Sequence, residues 1–132
     1  MKITMNIDGP HSGEYSREVA EAVAEGIRVL NHASIGPASG LDYASDVDWI
    51  VRELRSAASR LPQLLHQLAG WLQWMYDEGR LSDDRDRDAG TVLAGTLGHL
   101  AEGITYASRL SAALREAGQA TSHMRTLEAP DA

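Results

Sequence analysis

The sequence predicts an all-α protein, an antiparallel bundle of three to four helices. The main observation is a helical seam between Asp42 and Glu78, where apolar or small residues recur at alternating steps of four and three. Stripes with a helical period also occur before and after this segment, and glycine, proline and aspartate are concentrated between them. The seam consists of Tyr43, Val47, Ile50, Leu54, Ala57, Leu61, Leu64, Leu68, Trp71 and Met75.

The chain is predicted to comprise an arm, one helical-bundle domain and a tail. Ile3, Met5 and Ile7 alternate with polar residues as in a strand, but a lone strand has no partner within the chain. The first residues therefore either pair with a second copy or form a flexible arm, and we expect the arm. The predicted bounds are 1–13 for the flexible N-terminal arm, 14–118 for the domain and 119–132 for a disordered tail.

The first helix is predicted from near Ser16 to Ala33. Ser16 can accept hydrogen bonds from the free amides of the first turn, and flanking glutamates suit the positive end of a helix. Residues 31–40 are rich in helix breakers and are predicted to be a loop. The apolar stripe of this helix consists of Val19, Val23, Ile27 and Leu30.

The central helix is predicted to begin with Asp42 as its N-cap, or one turn later with Ser45 and Asp48 as a capping box. Pro62 lies inside the seam, where proline removes an amide donor and clashes with the preceding turn. Either a separate helix begins there or one long helix is kinked. The seam keeps its phase across Pro62, which favours a kink or a near-collinear break. Gly79 is predicted to end the helix.

The segment Leu61–Tyr76 is apolar around most of its helical circumference. A helix of this kind is buried on more than one side, so we expect a second chain to cover part of it. Tryptophan is typical of interface anchors, and methionine is also enriched at interfaces. The predicted interface consists of Leu64, Leu65, Leu68, Trp71, Leu72, Trp74 and Met75.

The last helix is predicted from Ala89 to Ala117, with aspartates before it and Gly118 as its stop. Four glycines lie in its interior, although each costs up to ~1 kcal/mol relative to alanine. They predict the close approach of a neighbouring helix. The glycines are Gly90, Gly95, Gly98 and Gly103, and the apolar stripe consists of Leu93, Leu97, Leu100, Ile104, Ala107 and Leu114, with Leu110 beside it.

Composition narrows the classes of function. The 132 residues carry a net charge of −7, include one lysine and contain no cysteine. Cysteine nucleophiles and thiolate metal sites are therefore excluded, and a nucleic-acid partner is not expected. No segment has the ~18 apolar residues of a membrane span, and the first residues lack the apolar run of a signal peptide. We expect a cytoplasmic protein without a membrane partner.

The sequence contains no recognisable catalytic set, so no catalytic residue and no cofactor are predicted. The run from Asp84 to Asp88 resembles the start of an EF-hand loop, but Ala89 and Gly95 occupy the positions that require glycine and glutamate. The five histidines have no i, i+4 pairing with each other. No metal site is predicted from these residues.

Two short acidic patterns lie on the first two predicted helices, Glu18-Val19-Ala20-Glu21 and Tyr43-Ala44-Ser45-Asp46. Together they resemble the MazG-type nucleotide pyrophosphohydrolases, in which Glu-x-x-Glu and Glu-x-x-Asp on successive helices bind magnesium and a nucleoside triphosphate. Tyr43 replaces the glutamate of the second motif. The resemblance spans about residues 14–55 and implies, as an alternative, a degenerate Mg²⁺-dependent pyrophosphohydrolase with Glu18, Glu21 and Asp46 at the metal.

A wider pattern combines Leu41-Asp42-Tyr43, Leu61-Pro62-Gln63-Leu64-Leu65, Gln67-Leu68-Ala69 and Trp71-Leu72. Over about residues 20–115 it resembles small helical proteins of high-GC actinobacterial genomes, which implies a helical fold and a cytosolic location but no activity. The favoured hypothesis is a non-enzymatic scaffold or regulatory interaction module, because the chain has a surplus of apolar helix faces and no recognisable catalytic set. Its expected partner is a second copy of the chain or another protein.

Overall fold

A computed structural model shows three α-helices and no strand within the described residues, which are 3–36 and 40–128. The helices are α1 (Gly13–Ala33), α2 (Ala44–Asp77) and α3 (Ala89–Thr121). The all-α prediction is confirmed. The chain divides into two compact units, Met1–Asp42 with α1 and Tyr43–Ala132 with α2 and α3. The single domain over 14–118 stays a prediction.

The N-cap of α1 is Ser12, whose hydroxyl accepts the Tyr15 amide at 3.0 Å. The prediction that Ser16 caps this helix was wrong, because the earlier serine already satisfies the first-turn amide. The preceding residues are bound to the same turn: the Tyr15 hydroxyl donates to the Thr4 carbonyl at 2.8 Å and accepts the Asn6 amide at 2.9 Å. The start of the helix is therefore fixed by residues before it.

The end of α1 at Ala33 agrees with the prediction. Of its predicted apolar stripe, Val19 is half-buried, whereas Val23, Ile27 and Leu30 are exposed. Parts of the predicted arm, loop and tail, namely residues 1–2, 37–39 and 129–132, lie outside the described residues. The flexibility of the arm stays a prediction.

The second unit is a hairpin in which α2 and α3 pack antiparallel. Three glycines of α3 lie close to α2. From the first of these glycines to the last, the residue number of the neighbouring α2 residue decreases, as it must in an antiparallel pair. A Cβ built on each glycine would stand 2.8 Å from Tyr76 Oη at Gly90, 3.3 Å from Leu65 Cδ1 at Gly103 and 3.8 Å from Val51 Cγ1 at Gly118. Close helix approach is therefore confirmed at Gly90 and Gly103. At Gly95 and Gly98, apart from chain neighbours and the nearby backbone of α3 itself, such a Cβ would meet no atom of the described residues within 4 Å.

The α2 residues that face α3 form a second seam, displaced by one residue from the predicted one. They include buried Ala58 and the half-buried Pro62, Leu65, Ala69 and Leu72. Both seams have the same four-three spacing, but the small side chains of this one allow α3 to approach. The predicted seam consequently lies on the flank of the hairpin, and much of it is exposed.

A fourth helix and a kink at Pro62 are not confirmed. α2 is assigned as one continuous helix of 34 residues with Pro62 inside it. Proline there loses one backbone hydrogen bond, but Pro62 is half-buried on the seam that faces α3. Packing along the hairpin therefore offsets the local cost of the proline.

The N-terminus of α2 is satisfied by residues near and far in the chain. Tyr43 is the N-cap residue, and the Asp46 carboxylate accepts its amide at 2.9 Å, so the predicted caps at Asp42 or Ser45 were wrong. The Ala44 amide donates to Thr126 Oγ1 at 2.6 Å. This second bond comes from beyond the end of α3, where local sequence rules cannot anticipate it.

The end of α2 has the predicted left-handed glycine. Gly79 has a φ of 69°, its amide donates to the Tyr76 carbonyl, and the Arg80 amide donates to the Met75 carbonyl, both at 2.9 Å. Together these bonds form a Schellman motif that satisfies two of the last carbonyls. The chain then leaves the helix towards the acidic turn before α3.

α3 begins at Ala89 as predicted, with the Asp88 carboxylate accepting the Thr91 amide at 2.9 Å. This hydrogen bonding with Thr91 lowers the pKa of Asp88 below its usual value. The helix continues to Thr121, so the predicted stop at Gly118 was wrong. The predicted stripe faces α2: Leu93 and Ala107 are buried, and Leu97, Leu100, Ile104 and Leu114 are half-buried. None of the helices within the described ranges has the length and apolarity needed to cross a bilayer.

Candidate interaction face

One flank of α2 exposes a row of large apolar side chains, here called the apolar face. Its members are Leu61 (38% exposed), Leu64 (48%), Leu68 (49%), Trp71 (55%) and Trp74 (49%). Successive members are three or four residues apart, so they follow one side of the helix over about four turns. The exposed apolar side chains therefore lie in one continuous row and are not scattered singly over the surface.

The predicted interface residues divide between this face and the packing with α3. Leu64, Leu68, Trp71 and Trp74 are on the apolar face. Leu65 approaches Gly103, Leu72 lines a small cavity with Leu93, and both are half-buried, as is Met75. The sequence pairs Leu64-Leu65 and Trp71-Leu72 supply one residue to each surface.

The two tryptophans of the apolar face contact each other. The ring centroids of Trp71 and Trp74 are 6.4 Å apart with an interplanar angle of 55°, a favourable tilted arrangement. The Arg80 guanidinium lies 6.0 Å from the Trp74 ring. Because that cation comes from the turn after α2, it marks the edge of the face.

α3 extends the apolar face with Tyr106 and Leu110, which are 61% and 49% exposed. Each precedes a residue of the α2-facing side of α3, Ala107 or Ser111, by one position. The apolar face of α2 likewise precedes its α3-facing seam by one position. Since antiparallel helices turn in opposite senses along a common axis, both flanks lie on the same side of the hairpin. Leu110 was predicted to lie beside the stripe, whereas Tyr106 was not predicted to be at a surface site.

Charge is absent from the α2 part of this face. Leu61–Tyr76 contains no aspartate, glutamate, lysine or arginine, although the whole chain carries a net charge of −7. Depletion of charge with enrichment in aromatic residues is the composition of interface cores. The arrangement can exclude water against a complementary apolar surface.

The acidic run between α2 and α3 organises the turn. The Asp83 carboxylate accepts hydrogen bonds from the Arg87 side chain at 2.9 and 3.0 Å and from the Arg85 amide at 3.0 Å. The Arg87 guanidinium is the main reason that the pKa of Asp83 falls to about 2. Asp83 therefore holds the Arg87 side chain and the Arg85 backbone in place.

The alternative hypothesis assigns a Mg²⁺ ion to the carboxylates of Glu18, Glu21 and Asp46. Glu18 is half-buried and Glu21 exposed on α1, while Asp46 accepts the Tyr43 amide at the start of α2. Within residues 3–36 and 40–128, no three histidine, aspartate or glutamate side chains form a group that could hold a metal ion. The MazG-type activity stays a hypothesis, which Mg²⁺-dependent pyrophosphate release and its loss in Glu21→Gln would test.

No family model, no curated protein and no solved structure matches this chain. The two resemblances suggested by short sequence motifs therefore stay predictions.

Proposed function

We propose that this protein is a non-enzymatic helical scaffold or regulatory interaction module that associates with a second copy of itself through the apolar face. The observation that carries the proposal is the exposure of Leu64, Leu68, Trp71 and Trp74 in one row. Large apolar side chains in such a row lower their free energy when another surface removes them from water.

The area of the face supports an interface of ordinary size. At the observed exposures, Leu61, Leu64, Leu68, Trp71 and Trp74 together present on the order of 500 Å² of accessible surface. Tyr106 and Leu110 enlarge this area from the neighbouring helix. Stable complexes bury about 800 Å² on each partner, of which the polar rim supplies part. The face is therefore large enough to form the centre of a dimer interface.

A second copy is the occupant that the geometry favours. In two hairpins related by a twofold axis, the apolar face of one would pack against the apolar face of the other. The four helices would then form a four-helix bundle, a common arrangement for helices of this length. Twofold symmetry is also the commonest symmetry of homo-oligomers, and it requires one self-complementary surface. An uncharged face meets this requirement, since pairing it with itself opposes no like charges.

The test is the solution mass, measured by light scattering over a concentration series. The wild type is expected to be a dimer, and Trp71→Glu a monomer with unchanged helicity, because the new carboxylate would be buried without a partner. Trp49→Glu is the matched control: Trp49 lies on the same helix and is 63% exposed, but it is outside the apolar face. The control is expected to remain dimeric.

Either of two results would reject the proposal. One is a wild-type protein that stays monomeric at all concentrations. The other is equal dissociation of Trp71→Glu and Trp49→Glu, which would show that added negative charge, and not the position of the face, disrupts association. Iodide quenching supplies an independent measurement, since dimerisation should protect Trp71 and Trp74 but not Trp49.

A further inference from the structure

A polar groove lies between α2 and α3 towards the open end of the hairpin. Its volume is about 510 Å³, and its walls are formed by Arg52, Arg55, Ser56, Ser59, Ser111 and Arg115. Ser56 and Ser111 are half-buried between the helices, where larger side chains would fill the space. The short serine side chains thus leave a recess that three arginines surround.

The groove and the apolar face are on opposite sides of the hairpin. Arg52 and Ser59 each follow by one position a residue that faces α3, Val51 or Ala58, whereas the apolar face precedes the α3-facing seam by one position. A helical rotation of about 100° per residue separates the two positions by roughly 200°. A ligand in the groove would therefore leave the apolar face accessible.

Two of the three arginines have no counter-ion among the described residues. Arg52 donates to the Asp48 carboxylate at 2.9 Å and lies 5.8 Å from the Trp49 ring. Within residues 3–36 and 40–128, neither Arg55 nor Arg115 makes an ion pair or a side-chain hydrogen bond. Two unneutralised guanidinium groups, one from each helix, thus border one recess in a chain of net charge −7.

We propose that this groove binds the phosphate group of a small phosphate ester. Guanidinium groups bind phosphate oxygens in a bidentate geometry, and the Ser56 and Ser111 hydroxyls can donate further hydrogen bonds. A phosphate monoester carries close to two negative charges at neutral pH, which matches the two unpaired arginines. The groove volume falls within the range of about 300–1,000 Å³ for small-molecule sites and exceeds the needs of a bare ion.

A nucleic acid is not the favoured occupant. A duplex-binding surface commonly neutralises about six to ten phosphates, whereas this groove offers three guanidinium groups. The net charge of −7 would also repel an extended polyanion. A compact ester can approach the groove without passing along the acidic turn of the hairpin.

Binding should be visible both directly and as stabilisation. The ligand would contact Arg55 on α2 and Arg115 on α3, and a ligand that binds only the folded hairpin raises its melting temperature. The probes are inorganic phosphate, pyrophosphate and glycerol phosphate at low ionic strength, with citrate as a polycarboxylate for comparison. Titration calorimetry and thermal unfolding are measured on the full chain.

Wild-type protein is expected to bind glycerol phosphate with one site per chain and to bind citrate more weakly. Arg115→Ala should weaken binding about tenfold or more, as loss of a charge-assisted hydrogen bond does. Ser59→Leu, which fills the groove without changing charge, should also weaken it. Arg109→Ala is the matched control, because it removes the same charge from the same helix outside the groove. It should leave the affinity unchanged.

Three results would overturn the proposal. They are the absence of binding and stabilisation with every phosphate probe, equal weakening by Arg109→Ala and Arg115→Ala, and citrate binding as tight as that of glycerol phosphate. Circular dichroism establishes that each variant keeps its helicity. The outcome is separable from self-association, since Trp71→Glu leaves all groove residues in place and should retain phosphate binding.

Discussion

The Tyr76 side chain lies over Gly90, so that a Cβ built at Gly90 would stand 2.8 Å from the tyrosine hydroxyl oxygen and 3.3 Å from Cζ. Tyr76 is in the last turn of α2, and Gly90 is in the first turn of α3. The absence of a side chain at Gly90 therefore allows the two helices to meet immediately beside the connecting turn.

This relationship predicts different outcomes for two glycine substitutions in α3. Gly98→Ala should raise the free energy of unfolding by up to about 1 kcal/mol, because alanine favours helix and, beyond the nearby backbone of α3, the new methyl group meets no described atom within 4 Å. Gly90→Ala should give no such gain, since Tyr76 must move away. Chemical denaturation of both variants measures the difference.

A double-mutant cycle with Tyr76→Phe identifies the cause. Removal of the hydroxyl should make Gly90→Ala less unfavourable, whereas Gly98→Ala should behave equally in both backgrounds. Additivity of Gly90→Ala and Tyr76→Phe would show that the hydroxyl is not what excludes a side chain at position 90.

The helical period was sufficient to predict the fold class but not the side of α2 that meets α3. Leu64-Leu65 and Trp71-Leu72 place large apolar side chains on two adjacent seams with the same spacing. Which of the two seams packs against α3 depends on small residues such as Ala58, which let the second helix approach. The period of a single sequence does not contain that information, because it depends on the shape of the partner.

Boundaries fixed by local chemistry were predictable, and those fixed by distant contacts were not. Gly79 and Asp88 act through neighbours within four residues, and both the glycine stop of α2 and the start of α3 at Ala89 agreed with the prediction. The amide of Ala44 is satisfied by Thr126, 82 residues away. The groove between α2 and α3 was missed for the same reason: its arginines and serines come from two segments that the hairpin brings together.

Capping of α1 gives a second prediction. Ser12→Ala should destabilise the start of α1 by about 1 kcal/mol, because the Tyr15 amide would lose its acceptor at 3.0 Å. Ser16→Ala, the matched control inside the helix, should be neutral or slightly stabilising. Amide hydrogen exchange at Tyr15 and its neighbours measures the effect locally. Faster exchange in Ser16→Ala but not in Ser12→Ala would contradict the assigned cap.

The turn between α2 and α3 should weaken in acid through Asp83. The Arg87 side chain lowers the pKa of Asp83 from 3.8 to about 2 in the folded protein, so folding favours the ionised carboxylate. The contribution of Asp83 to the free energy of unfolding is complete when the pH is above its ordinary pKa of 3.8. This contribution is lost as the pH falls towards the folded-state pKa of about 2. Stability curves between these limits should be flatter for Asp83→Asn than for the wild type.

Asp84→Asn is the control for that experiment, since Asp84 is the exposed neighbour of Asp83 in the same loop. It should leave more of the acid sensitivity in place than Asp83→Asn does. A carboxyl titration by NMR gives the pKa of Asp83 directly. A midpoint at or above 3.8 would rule out the proposed role of Arg87.

Pro62→Ala should stabilise the hairpin. The substitution restores an amide that can donate to the Ala58 carbonyl, and in an exposed helix interior proline costs about 3 kcal/mol relative to alanine. Loss of the half-buried ring from the α3-facing seam offsets part of this gain, so the net increase in unfolding free energy should be smaller.

Pro62→Gly removes the same ring and restores the same amide without the helix propensity of alanine. The free energy of unfolding of Pro62→Gly should be lower than that of Pro62→Ala by about 1 kcal/mol. If Pro62→Ala were less stable than the wild type, packing of the ring against α3 would outweigh the backbone defect, and the proline would be a structural contact between α2 and α3.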